Sequence, residues 1–238
     1  MKTKQKTRIK VCGICRPEEI ELAALYGADA VGFITEVPVE TPRKLNIETA
    51  ASLVSNVPST LNSVLVIMPQ NSTEALDLIG QVKPDIVQIH SPLSLLELEI
   101  IKQNTDIPII KVLSLPAKEK TSSQKTKNPN LIFDLLEEVR LLEEADVVDS
   151  ILLDTGKSGR TGGTGSIHDW ALSKQIAQET ELPLILAGGL NPENVKEAIE
   201  TVSPYAVDTA SGVETAGKKD AIKIKTFIEE VRCANAFL

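Results

Sequence analysis

The feature that most constrains this chain is an eightfold alternation of short apolar runs with segments of helical character. The runs are "IKVCGI" (9–14), "AVGFI" (30–34), "SVLVI" (63–67), "DIVQIH" (85–90), "PIIKVL" (108–113), "SILLDT" (150–155), "PLILAG" (183–188) and "YAVDTA" (205–210). Most are almost continuously apolar instead of alternating, as parallel strands covered on both faces require. Between them, "RPEEIELAALYG" places Pro17 at a first helical position, Glu18 and Glu19 in the first turn and Gly27 at the stop. In "NPENVKEAIE", Asn191 reads as an N-cap, Pro192 follows it, and Val195, Ala198 and Ile199 fall at helical spacing. Further helices are expected near 47–56, 72–82, 93–104, 131–145, 167–180 and 218–232.

Eight strand–helix units in 238 residues suit an α/β fold, a single (β/α)8 TIM barrel of eight parallel strands. An open doubly wound sheet is the rival. The absence of an extra strand favours closure, and no linker divides the chain, so residues 1–238 are expected to form one domain. One segment breaks the rhythm. "LPAKEKTSSQKTKNPN" (115–130) is long, polar and lysine-rich, and reads as a solvated insertion, or as a lid or a rim that draws anions.

A formal net charge of −8 argues against nucleic acid as a partner. No apolar run is long enough to span a bilayer, and the basic N-terminus lacks a secretory core, so a cytoplasmic location is expected. Three cysteines make no disulfide framework and fit a reducing compartment.

In such a barrel the chemistry sits at the C-terminal ends of the strands. Cys12 lies near the end of strand one, Arg43 follows strand two, His90 ends strand four, Asp154 ends strand six and Asp208 precedes the last turn. Glycine-rich turns follow strands seven and eight, offering Gly188, Gly189, Ser211 and Gly212. Loops at these two places often hold phosphate through main-chain N–H groups; the plain alternative is two tight turns. The stretch "GKSGRTGGTGS" (156–166) lacks P-loop spacing, but its Lys157 and Arg160 suit folding over an anion. Cys12 and Cys15 form a C-x-x-C pair, yet it closes a strand, not a helix N-terminus, and no second pair exists for zinc. His90, His168, Asp154 and Asp208 also have bland readings as strand ends, helix starts or turn caps. Trp170 is expected to pack the sixth helix onto the barrel.

In register, these pieces resemble the phosphoribosylanthranilate isomerase family. The resemblance runs from "KVCGICRPEEIELAALYGADAVGF" through "TPRKL", "VQIHS", "LLDTGKSGRTGGTGSIHDW" and "LILAGGLNPENV" to "YAVDTASGVET", and is weakest over 115–145. It implies an Amadori rearrangement, without a cofactor or metal, of a phosphorylated small molecule that joins anthranilate to ribose 5-phosphate. It makes Cys12 the general base and Asp154 the general acid, with Arg43 on the anthranilate carboxylate, Asp208 on ribose hydroxyls and His90 near the aromatic end. For those roles Cys12 needs thiolate character and Asp154 a proton, against ordinary values of about 8.5 and about 3.9. Three positions depart from the family pattern: Cys15 replaces threonine, Ala210 a serine and Ser91 a glycine. Competing readings are a phosphometabolite-binding barrel without turnover, and a sibling such as indole-glycerol-phosphate synthase or the tryptophan synthase α subunit. Cys12, Asp154 and the "TPRKL" arginine argue against them. The oligomeric state is left open by the sequence.

Overall fold

A computed structural model describes residues 6–118, 130–157, 160–161 and 167–236. Eight parallel strands close into a barrel: Arg8–Cys12, Ala30–Thr35, Asn62–Ile67, Ile86–Ile89, Ile109–Pro116, Ser150–Lys157, Leu184–Leu186 and Ala206–Thr209. They are strands one to eight below. Closure is direct, because strand one pairs with strand two (Cys12 opposite Gly32) and with strand eight (Lys10 opposite Asp208).

Helices α1 (Pro17–Tyr26), α2 (Ile47–Ser55), α3 (Ser72–Val82), α4 (Leu95–Asn104), α5 (Leu131–Ala145), α6 (Trp170–Glu179), α7 (Val195–Val202) and α8 (Ala221–Asn235) follow the strands in turn. Successive strand residues point to opposite sides. One set, including Val11, Phe33, Leu65 and Ile151, packs outward with the helices in one core. The other set, including Val64, Val66, Ile110, Val112, Leu152 and Ile185, fills the lumen. Both sets are mainly apolar, which is why the strands read as nearly continuous runs. Trp170 is buried in the outer core, as expected. Among the described residues no helix is long and apolar enough to cross a membrane.

Several boundaries differ from the sequence reading, three of them with a clear physical reason. Strand five runs on to Pro116, with Leu115 buried opposite Thr155, so the polar insertion starts later than residue 115. Residues 119–129 lie outside the described residues, as do 158–159 and 162–166 of the glycine-rich loop. The expected roles of the insertion and of Lys157 and Arg160 over an anion therefore also lie outside them. Helix α7 starts four residues after Asn191, not beside it. Asn191 Oδ1 accepts from Glu193 N and its carbonyl from Val195 N, so the side chain closes a turn that Asn194 continues. Helix α8 starts at Ala221, capped by Asp220, because Glu214–Thr215 and Lys218–Lys219 form a small antiparallel ribbon first.

Candidate active site

At the C-terminal ends of the strands lies a cavity of about 720 Å³. Cys12, Arg43, His90, Asp154, Gly188, Gly189, Asp208, Ser211 and Gly212 all line it. The structure therefore brings together these nine candidates, from the ends of strands one, four, six, seven and eight and the loop after strand two; Cys15 and His168 do not line the cavity.

Cys12 ends strand one and Asp154 lies near the end of strand six, both facing the lumen. Burial and the charge of Asp208 push the Asp154 carboxyl up to about 6, although its Oδ1 accepts the Thr155 N–H at 2.8 Å. Burial also pushes the Cys12 thiol above its ordinary value, and the Lys10 ammonium is the largest influence drawing it back. Asp154 thus shifts toward its expected role, while the thiol is held further from ionisation than that role asks.

Asp208 faces the lumen from strand eight. Its Oδ2 accepts from Lys10 Nζ at 2.8 Å, while its Oδ1 is buried without a partner among the described residues. On strand four, the amide nitrogen of Gln88 donates to His90 Nε2 at 2.7 Å. Burial, with Lys10 and Lys111 nearby, drops the His90 pKa to about 3, so the ring is neutral.

Arg43 stands just before a two-residue strand, Lys44–Leu45, that extends the sheet beside strand two. Its Nε and Nη2 donate to Glu214 Oε1 and Oε2 at 2.7 and 2.6 Å. Lys219 Nζ also donates to Glu214 Oε1, at 2.7 Å, and to the Ala210 carbonyl, at 3.0 Å. Burial raises the Glu214 carboxyl, but these two cations outweigh it and hold the group below its ordinary range. The side-on edge of the Arg43 guanidinium is thus taken by Glu214, and its two terminal nitrogens point a second edge elsewhere.

The turn after strand seven is built around Gly188, at φ 85°. A Cβ there would stand 2.1 Å from Thr155 Oγ1, so no larger residue fits. Thr155 is fixed in turn: its hydroxyl meets His168 Nδ1 at 2.8 Å, and His168 Nε2 meets Ser173 Oγ at 2.6 Å. His168 is fully buried just before α6, so it braces the wall behind Gly188 and Asp154 and does not face the cavity. Gly189, Ser211 and Gly212 complete a rim of main chain on this side of the cavity.

Lys10, Gln88 and Glu214 escaped the sequence reading. The first two carried a usable signal. Each is a polar residue two positions before a candidate in an otherwise apolar strand, and that spacing puts both on one face. Cys15 is half-buried beside the Gly13 and Pro42 carbonyls, and Cys233 is exposed. The Ser91 hydroxyl is buried without a partner among the described residues. Among the described residues no three His, Cys, Asp or Glu side chains group to hold a metal.

The family model described as N-(5'phosphoribosyl)anthranilate (PRA) isomerase matches residues 9–230. N-(5'-phosphoribosyl)anthranilate isomerase 1 of Methanosarcina mazei is 67% identical over 238 residues, covering 100% of both chains. The crystal structure of phosphoribosyl anthranilate isomerase from Thermotoga maritima superposes with a TM-score of 0.76 at 30% identity, covering 95% of this chain and 99% of its own. A second phosphoribosyl anthranilate isomerase structure holds reduced 1-(o-carboxyphenylamino)-1-deoxyribulose 5-phosphate; it matches with TM-score 0.73 and 30% identity over 95% of this chain and 99% of its own. The chain belongs to the N-(5'-phosphoribosyl)anthranilate isomerase family.

Proposed function

We propose that this protein converts N-(5'-phosphoribosyl)anthranilate into 1-(2-carboxyphenylamino)-1-deoxyribulose 5-phosphate, the aldose-to-ketose step of tryptophan biosynthesis, with Asp154 as acid and Cys12 as base. The observation that carries the reading is one shared cavity. It receives a thiol from strand one and, from strand six, a carboxyl raised to about 6. An acid and a base must face one ribose from different sides, and the two strands supply that separation.

The steps follow from the groups present. Asp154 gives its proton to the ribose ring oxygen as the C1'–O4' bond breaks and the anilino nitrogen lone pair forms a C1'=N double bond. Cys12, as thiolate, removes the proton from C2', and those electrons neutralise the iminium nitrogen to give an enolamine. Proton gain at C1' and loss from the C2' hydroxyl complete the ketone. The unpaired Oδ1 of Asp208 accepts a ribose hydroxyl. Arg43, its side-on edge fixed by Glu214, meets the anthranilate carboxylate with its terminal nitrogens. Main-chain N–H groups of Gly188, Gly189, Ser211 and Gly212 hold the phosphate, as the loops after strands seven and eight do in other barrels. His90, neutral, lies toward the aromatic ring. This reading takes residues 1–238 as one barrel domain acting in the cytoplasm.

The direct test mixes the purified chain with freshly made phosphoribosylanthranilate and follows the loss of substrate fluorescence. Turnover that disappears in Cys12→Ser is the expected result. Binding without turnover in the parent chain overturns the reading in favour of a non-catalytic metabolite-binding barrel.

A further inference from the structure

We propose that Lys10 is a positioning residue for the isomerase: its buried ammonium, anchored by Asp208, faces the lumen beside Cys12 and stabilises the thiolate. The inference rests on the assignment of Cys12 as base.

Lys10 and Cys12 are two residues apart on strand one, so both side chains enter the barrel. Both pack over Gly32 on strand two. A Cβ at Gly32 would lie 2.7 Å from Cys12 Sγ and 3.2 Å from Lys10 Cε. Cys12 Sγ therefore lies within about 6 Å of Lys10 Cε, and the ammonium and the thiol are hydrogen-bond neighbours, within the range over which an opposite charge favours the ionised form. The lysine is 3% exposed and ends in a salt bridge of 2.8 Å to Asp208 Oδ2. Burial works against its charge, but Asp208 and the thiol hold it above the ordinary lysine range. An ammonium so placed is a fixed charge and not a titrating partner.

Among the described residues, the other groups around Cys12 do not supply this charge. Arg43 and Lys219 both act on Cys12 from the mouth, but each is paired with Glu214, whose carboxylate offsets them. His90, just after strand four, is neutral. Asp208 on strand eight carries charge of the sign that disfavours a thiolate, and Asp154 on strand six does so only once it has given up its proton. Lys111 sits on strand five and turns its Nζ to the Val112 carbonyl. Asp208 therefore has two opposed effects: it anchors the ammonium and partly cancels it.

That opposition gives the test a signature that damaged packing does not mimic. In a Cys15→Ser/Cys233→Ser background, the rate of Cys12 alkylation by iodoacetamide is measured against pH. Lys10→Met moves the midpoint up by about one unit or more. Asp208→Asn moves it down, because the cation then acts unopposed. Should Lys10→Met fail to fold with Asp208 left buried and unpaired, Lys10→Met/Asp208→Asn is compared with Asp208→Asn alone; the same upward shift is expected. A midpoint that stays put in the lysine variant, or moves in the same direction in both single variants, overturns the proposal. Isomerase turnover is followed in parallel. Turnover with no shift removes Lys10 and spares the function; the shifts without turnover in the parent spare Lys10 and remove the function.

Discussion

The two ends of the barrel use the same residue type in opposite ways. At the floor, Asp29, Asp85 and Asp149 stand immediately before strands two, four and six. Each accepts a main-chain N–H from the preceding strand, from Ile9, Ser63 and Ile109, all at 2.8 Å. Asp85 also takes the Ser63 hydroxyl at 2.7 Å, and Asp149 takes Lys102 at 2.6 Å. At the mouth, Asp208 keeps one oxygen without a partner among the described residues, and Asp154 is pushed toward its protonated form. Floor carboxylates satisfy strand ends that would otherwise be orphaned; mouth carboxylates keep capacity for something that is not protein. Barrels place stability below and chemistry above, and here one side-chain type shows both uses.

The largest expected effect lies at the mouth, and it has two opposite signs. Asp154→Asn removes the acid and should lower kcat by about 10²–10⁴-fold, the usual contribution of a placed proton donor. The same change should raise stability at neutral pH. The native carboxyl has its pKa lifted to about 6, above the unfolded value. Its favourable contribution is therefore present below the unfolded pKa of about 3.9 and is lost as pH rises through about 6. Above that window the folded state holds a buried carboxylate at a cost of up to about 3 kcal/mol, which the amide avoids. Urea unfolding at pH 4 and pH 8 checks this: the stability gain of the variant should be near zero at the first and largest at the second. Equal gains at both pH values would mean that the carboxyl is not strained by its site.

The floor should answer in the reverse sense. Asp85→Ala strips partners from the N–H and hydroxyl of Ser63, which is 2% exposed. Leaving a buried donor unmet costs about 1–3 kcal/mol, so the urea midpoint should fall while kcat holds. A loss of kcat at unchanged stability would erase the contrast between the two ends.

Much of this contrast was legible in the sequence, and the part that was not has a common cause. The eight strands could be read because a parallel strand covered on both faces needs apolar residues at nearly every position. Cys12, Arg43, His90, Asp154 and Asp208 could be located because each marks or follows a strand end. What escaped is pairing between distant residues. Lys10 meets Asp208 at a separation of 198 residues and Arg43 meets Glu214 at 171, distances at which no periodicity operates. The floor carboxylates were hidden for the same reason: an Asp before a strand looks like any turn residue until the neighbouring N–H is seen. Asn191 misled because it hydrogen-bonds main chain in a turn as readily as at a helix start.

The smallest effect tests whether the lower half can be tuned without touching the upper. Gly80 lies in α3 two residues before its end, exposed, and apart from its chain neighbours and the helix's own backbone nothing lies within 4 Å of where a Cβ would stand. Glycine in a helix costs about 0.5–1 kcal/mol relative to alanine, because its unfolded chain has more freedom to lose. Helices in this fold run back from the mouth, so the end of α3 belongs to the floor. Gly80→Ala should therefore add up to about 1 kcal/mol and, for a chain of this size, raise Tm by about 2–4 °C. The kcat should not change, since no cavity residue touches the site of substitution. Calorimetry with a parallel rate measurement decides it. A stabilised variant with slowed turnover would mean that the mouth depends on looseness at the floor, and the separation drawn from the carboxylates would then hold for hydrogen bonds but not for motion.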